Sequence, residues 1–237
     1  MLTVIIPTIW AYEPHTKYLE QIIGHDCIGE VLIIDNRKEN RPDAPVLKHP
    51  KVRILEQETN IYVNPAWNLG VKEAKYDNLC FLSDDVIADP RAYFEADKFL
   101  TEKTEPNHGV MVTMIGWEPH NQPKVSDGVV QICSYHELRN NGEPVGMHGA
   151  FALFFCHKKQ YIEIPDRFKI LSGDAYLWNK MLAMGRMHYV MYNFFFHSPF
   201  GVSCAIVFNE DDGFPFMKSD IQNYDDLVKN GGLEEPI

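Results

Sequence analysis

The order of apolar runs predicts an α/β fold with a doubly wound, mostly parallel sheet. Short apolar runs at Leu2 to Ile6, Val31 to Ile34, Val52 to Leu55 and Leu79 to Leu82 alternate with segments of helical spacing. Strands that alternate with helices form a parallel sheet covered on both faces. Thr8, Asp35, Asn60 and the pair Asp84-Asp85 each follow an apolar run. A doubly wound topology gathers the carboxyl ends of its strands at one edge, where ligands bind. No internal repeat or low-complexity linker divides the 237 residues, which predicts one continuous domain.

The first strand, Leu2 to Ile6, is closed by Pro7-Thr8. Tyr18, Leu19, Ile22 and Ile23 have helical spacing, and Gly24 is a stop signal. Glu30 to Ile34 is a second buried strand that ends in Asp35-Asn36, and Val52 to Leu55 is a third. A helix through Pro65 to Ala74 follows, with Pro65 near a first-turn position. Leu79 to Leu82 is a fourth strand and Pro90 to Leu100 a further helix.

The second half is less regular. Gly109 to Ile115, Val129 to Tyr135 and Ala150 to Cys156 read as strands, Trp117 to Val125 as a loop, and Arg139 to Gly146 as a turn-rich or hairpin segment. Asp174 to Met184 reads as a helix and His188 to Phe196 as a strand. These boundaries divide residues 1–212 into a half of about 1–105 and a half of about 106–212. Residues 213–237 form a tail, either an arm packed on the domain or a mobile end.

Composition narrows the function classes. A net charge of −11 argues against a nucleic-acid or anionic-membrane footprint, which needs clustered Lys and Arg. It does not oppose binding a single nucleotide through a metal. The N-terminus has no basic leader, and no apolar stretch is long enough to span a bilayer. The five cysteines are scattered, without a Cys-x-x-Cys pair, so they read as reduced thiols in a cytoplasmic protein, not as a zinc site.

Phe81-Leu82-Ser83-Asp84-Asp85-Val86 carries the strongest chemical signal. Two adjacent carboxylates embedded in apolar sequence repel each other and are costly to desolvate. A divalent cation offsets that cost, and magnesium or manganese suits hard oxygen ligands completed by substrate phosphates. The plain alternative is a solvated strand-to-loop turn, in which Asp is common. Glycine-rich dinucleotide and P-loop motifs, Gly-x-Ser-x-Gly and His-Glu-x-x-His are all absent.

Val4-Ile-Ile-Pro-Thr8, Val31-Leu-Ile-Ile-Asp-Asn36, Asn60 with Asn64-Pro-Ala-Trp-Asn-Leu-Gly70, and Phe81-Leu-Ser-Asp-Asp85 occur in that order. Together they resemble the GT-A-type glycosyltransferases, most of all the inverting family 2 enzymes. The likeness covers the first hundred or so residues well and continues loosely through Gly149 to Ser203. It implies a GT-A fold, a Rossmann-like doubly wound sheet with an irregular acceptor-side half. It also implies that Pro7, Thr8 and Asp35 hold the base and ribose, with Asn60 and Asn68 bordering the nucleotide pocket. Asp35, Asn60 and Asn68 equally suit capping roles, since Asp and Asn cap helices and turns. Trp67 reads as a core anchor.

Ser83-Asp84-Asp85 matches the family's Asp-x-Asp motif, with serine at the first acidic position. The resemblance makes Asp85 the direct ligand of Mn2+ or Mg2+. It gives Asp84 a contact to ribose or a metal-bound water, and counts Ser83 with Asp84 among the nucleotide-binding residues. Asp174 matches the second acid of a Glu-Asp motif, with Gly173 in place of the first. It is implied as the general base, the alternative being an N-cap formed by Ser172 or Asp174. His197 stands where related enzymes place a His near the metal or diphosphate; the alternative is an ordinary buried His bonded to backbone. His148 and Gly149 are positional candidates for the sugar pocket.

The function so implied is an inverting, metal-assisted hexosyl or deoxyhexosyl transfer. The donor is a UDP-, GDP- or dTDP-linked sugar, and the acceptor a hydroxyl of a glycan, a lipid-linked molecule or a protein. A nucleotidyltransferase is a second reading, disfavoured because Thr8 to Pro14 is neither basic nor glycine-rich. A sugar-nucleotide-binding module without catalysis is a third, left open by Ser83 and Gly173.

Overall fold

The computed structural model describes residues 1–12, 15–103, 108–113, 130–136, 152–192, 196–197 and 213–233. Ten strands and five α-helices are defined among these residues. In the first half they are β1 Leu2–Thr8, α1 His15–Ile23, β2 Ile28–Asp35, β3 Val52–Glu56, α2 Val63–Glu73, β4 Asn78–Leu82, β5 Ile87–Ala88 and α3 Pro90–Glu102. The second half gives β6 His108–Thr113, β7 Gln131–Ser134, β8 Leu153–His157, α4 Gly173–Ala183, β9 Met187–Tyr192, β10 Phe196–His197 and α5 Gly213–Lys229. The expected loop at 117–125, the turn-rich segment at 139–146, His148 and Gly149 lie outside the described residues.

Eight strands form one sheet in the order β3-β2-β1-β4-β8-β6-β9-β7. β1 pairs in parallel with β2 and β4, and β2 in parallel with β3. β8 runs antiparallel between β4 and β6, β6 and β9 are parallel, and β7 is antiparallel to β9. The first four strands thus form the expected doubly wound unit, and the second half adds a mixed extension to the same sheet. β5 and β10 make a separate two-stranded ladder that sets His197 opposite Ile87.

Alternate residues of each strand enter opposite layers, as the period of a strand requires. Val4, Ile6, Val31 and Ile33 pack with Leu19 of α1 and Tyr93 of α3 on one face. Ile5, Leu32 and Ile34 pack with Trp67 of α2, Leu177 of α4 and Leu227 of α5 on the other. Trp67 is an anchor of this second layer, with its ring edge-on to Phe81 and Phe154 at centroid distances of 6.0 and 5.2 Å. Gly70 lets α2 sit close to β1, because a β-carbon there would lie 2.3 Å from Ile5 Cγ2. Asp89 caps α3 through its side chain, which accepts from Arg91 N at 2.9 Å, and Pro90 begins the helix.

A buried carboxylate also stands at the opposite end of β1. Glu30 accepts from Thr3 Oγ1 at 2.9 Å, Arg53 Nε at 2.9 Å and Lys75 N at 2.8 Å. With both its oxygens engaged and a guanidinium beside it, it joins β1, β2, β3 and the end of α2, a structural role.

Candidate active site

The strand order reverses between β1 and β4, since β2 and β3 lie on one side of β1 and β4 on the other. Such a switch point opens a crevice at the carboxyl ends of the strands. Thr8 ends β1, and Asp84 lies two residues beyond β4. Thr8 Oγ1 donates to Asp84 Oδ2 at 2.6 Å and accepts from Trp10 N at 2.9 Å. Residues separated by most of the first half of the chain therefore meet across the switch point.

Ser83 to Val86 is a turn closed by Val86 N donating to Ser83 O at 3.1 Å, and Ser83 N is fixed to Ala152 O at 2.9 Å. The turn geometry is as the plain alternative required, but its acids are not solvated. Asp84 is 5% exposed and Asp85 8%. Burial, and then the neighbouring charge of Asp84, push the Asp85 carboxyl up to about 6. The Tyr12 hydroxyl is raised to about 12 by burial, its hydrogen bond with Tyr18 and, last, the charge of Asp85, which puts Tyr12 within the field of this carboxylate.

Asp35 ends β2 beside Thr8, its register partner in β1. It is fully buried. Its Oδ1 accepts from the Trp10 indole Nε1 at 2.8 Å and from Arg37 N at 3.1 Å. Its Oδ2 makes no hydrogen bond and faces Arg41 Nη1 at 3.4 Å, an ion pair without hydrogen-bond alignment. The Trp10 ring lies 5.5 Å from that of His15, a buried imidazole whose two nitrogens lack hydrogen-bond partners. Burial lowers the His15 pKa, and the nearby charge of Asp84 opposes this. Buried polar atoms left without partners are uncommon and mark places where water or a ligand completes the structure. Apart from Asn64 Oδ1, every such atom among the described residues belongs to Asp35 or His15.

Pro7 lies within β1 opposite Ile34. Asn60 Oδ1 accepts from Tyr62 N at 2.8 Å, a local turn bond that brings the chain into α2. Asn68 is differently placed. Its amide donates to Ile164 O at 2.7 Å and accepts from Ile164 N at 3.0 Å and Tyr161 Oη at 2.8 Å. Those bonds tie α2 to the segment after β8, so Asn68 serves here as a bracket between the two halves. His197 enters through the β5–β10 ladder, where it pairs with Ile87 two residues past Asp85.

Asp174 lies in the first turn of α4, and its Oδ1 accepts from Ala175 N at 2.8 Å. Ser172 occupies the cap position in the left-handed region, φ 62°, and makes no side-chain cap bond. Of the two residues offered as an N-cap alternative, Ser172 therefore does not cap through its side chain. Gly173 has a steric reason to be glycine, since a β-carbon there would lie 2.2 Å from Asn64 Oδ1. Non-glycine residues in this left-handed region are strained and gather at functional sites. Among the described residues they are Trp10, Tyr62 and Ser172, each beside a candidate residue.

A family model, glycosyl transferase family 2, matches residues 3–159. The chain belongs to glycosyl transferase family 2. Its likeness to solved glycosyltransferases is one of fold. Crystal structures of S. aureus TarS 1-349 and of the same fragment with UDP are 14% identical, with TM-scores of 0.55 and 0.54. The first alignment covers 98% of this chain and 73% of that one; the second covers 92% and 69%. A structure of GalNAc-T7 with UDP, GalNAc and Mn2+ is 12% identical with a TM-score of 0.56, covering 84% of this chain and 43% of that one. This chain spans 40% of a longer TarS chain. No curated protein matches it by sequence.

As a family 2 domain of GT-A type, the chain brings Thr8, Asp35, Asp84 and Asp85 to one sheet edge and spends Asn68 elsewhere. Trp10, His15 and Arg41 escaped the sequence reading. Of these, Trp10 stood two positions past Pro7-Thr8, an aromatic residue within a loop, which is the one local signal available. No cage of three or more His, Cys, Asp or Glu side chains occurs among the described residues. Two buried neighbouring carboxylates still fit magnesium or manganese, which take one or two carboxylates and fill their shell with water and phosphate.

Proposed function

We propose that the chain transfers a sugar from a nucleoside-diphosphate sugar to a hydroxyl acceptor, with inversion and with help from Mn2+ or Mg2+. The observation that carries this reading is the buried Asp84-Asp85 turn hydrogen-bonded to Thr8 across the switch point. Asp85 would hold the cation, with Asp84 toward the ribose or a metal-bound water and His197 nearby. Asp35, Thr8 and Pro7 would hold the base and ribose, and Asn60 would border them. Ser83 anchors the turn through its backbone. A bound cation would supply neutralisation of the negative charge that develops on the departing diphosphate.

Asp174 is the proposed general base. Its carboxylate takes the acceptor proton as the acceptor oxygen forms a bond to the anomeric carbon. The bond from that carbon to the diphosphate oxygen breaks on the opposite side, and the nucleoside diphosphate leaves with the electron pair. Uracil is the base we favour, because TarS and GalNAc-T7 were both solved with UDP. The second half of the chain would take the acceptor, a glycan, lipid-linked or protein hydroxyl. The described residues include no helix long and apolar enough to cross a membrane. Cys27, Cys80, Cys133 and Cys156 are free thiols, which supports a cytoplasmic location.

The non-catalytic reading rests on Ser83 and Gly173, which replace acids. An assay of UDP release from UDP-N-acetylglucosamine separates the two. A transferase releases UDP slowly to water in a Mn2+-dependent manner, and Asp85→Ala abolishes that release. A binding module is stabilised by UDP and Mn2+ but releases nothing above the uncatalysed rate.

A further inference from the structure

Asp220 on α5 is a carboxylate with no exposed surface. It lies in the tail expected from sequence to be an arm or a mobile end. Its Oδ2 accepts from Ile170 N at 2.6 Å, Leu171 N at 2.8 Å and Lys169 N at 3.1 Å, while Oδ1 accepts from Lys169 N at 2.9 Å. Three consecutive backbone N–H groups thus converge on one charged side chain. Charge-assisted bonds of this kind are the stronger class, and they fix the backbone that donates them.

The first and last of these three residues are held along their other edge by Asn64 of α2. Asn64 N donates to Lys169 O at 3.1 Å, and Asn64 Nδ2 donates to Leu171 O at 3.2 Å. The segment is therefore gripped from the carbonyl side by α2 and from the N–H side by α5. It runs straight into Ser172, at φ 62°, then Gly173 packed on Asn64, then Asp174. A strained residue persists only where its surroundings over-determine it. Here the surroundings are Asp220 and Asn64. α5 makes further contacts to α4 and to the start of α2: Tyr224 Oη accepts from Asn179 Nδ2 at 2.7 Å, and Phe216 packs on Tyr62 at 4.9 Å between ring centroids.

We propose that Asp220 is a positioning residue for Asp174. It acts through the backbone of 169–171 and makes α5 part of the catalytic unit. The inference rests on the reading of Asp174 as the base. The plain alternative is an anchor that contributes stability alone. The two differ in what a variant changes. An anchor lowers stability and leaves turnover per folded molecule intact, whereas a positioning residue lowers turnover while nucleotide binding at the other strand tips persists.

The test compares wild type, Asp174→Asn, Asp220→Asn and the double variant. The probe is UDP-N-acetylglucosamine with Mn2+, read as UDP release, alongside UDP affinity by calorimetry and the melting temperature. We expect Asp220→Asn to lower kcat about tenfold or more with UDP affinity within about twofold of wild type, since misplacement by a fraction of an ångström is costly. The double variant should be no slower than Asp174→Asn alone, and Asp220→Glu, which keeps both oxygens but shifts them by one methylene, should recover part of the loss while staying more than about twofold below wild type. Wild-type turnover in folded Asp220→Asn would overturn the assignment. So would a loss that tracks UDP affinity, or a double variant slowed by both factors multiplied. If Asp220→Asn does not fold, the same comparison is made with Asp220→Glu, where turnover within about twofold of wild type overturns the assignment. Full turnover in Asp174→Asn overturns the base reading and the positioning role with it. Absence of UDP release from wild type counts against the transferase reading beneath both.

Discussion

Among the described carboxylates, Asp85 has a clear pH signature. Its folded-state pKa is about 6 against an ordinary 3.8, so the folded chain holds this proton more tightly than the unfolded chain. A raised carboxyl contributes stability below the unfolded value and loses it as pH rises through the folded one. Without metal, the protein should therefore lose on the order of 2–3 kcal/mol between about pH 4 and 6.5, from the size of the shift. Urea melts of wild type and Asp85→Asn across that window check this: the asparagine variant should lack the decline. Because Mn2+ competes with the same proton, its affinity should fall as pH drops below about 6. At the proposed base, Asp174→Asn should cut turnover by about 10²- to 10⁴-fold while leaving UDP affinity nearly unchanged, as steady-state rates and calorimetry would show. The meeting of Thr8 with Asp84 was legible at this scale because each residue ends an apolar run. The neighbours of Asn68 were not, since Tyr161 and Ile164 lie in a different part of the chain.

At the scale of elements, strained residues occupy the junctions: Trp10 follows β1, Tyr62 precedes α2 and Ser172 precedes α4. Local pattern located those elements but not the left-handed residues between them, since tertiary contacts impose that conformation. Trp10 is held by its indole bond to Asp35. Gly173 follows the same logic. Its departure from the family's acid is matched by Asn64, which fills the space a side chain there would need. Gly173→Ala should cost about 1–3 kcal/mol by overpacking, and pairing it with Asn64→Gly should recover part of the loss. Chemical denaturation of the two single variants and the double one gives the coupling. Additive losses would mean that the two positions are independent.

For the whole molecule, the succession of strands through β4 was legible because each of those strands is a largely apolar run set off from the next. The second half resisted the same reading. β8 turns antiparallel between β4 and β6, and such a reversal leaves no mark in a largely apolar strand of five residues. The role of α5 was equally hidden, since Asp220 meets its partners about fifty residues away in the chain. What the complete fold adds is convergence: β1, β2 and β4 present Thr8, Asp35 and the Asp84-Asp85 turn at one crevice, with α4 and α5 on the far layer. The direct measurement of that convergence is calorimetric titration of UDP, GDP and dTDP into wild type and Asp85→Ala, each with and without Mn2+. The proposed metal site on Asp85 requires that at least one nucleotide, UDP first, binds wild type at least about tenfold more tightly with Mn2+ and that Asp85→Ala loses this enhancement. Binding that is unaffected by Mn2+, or equally enhanced in Asp85→Ala, would contradict it.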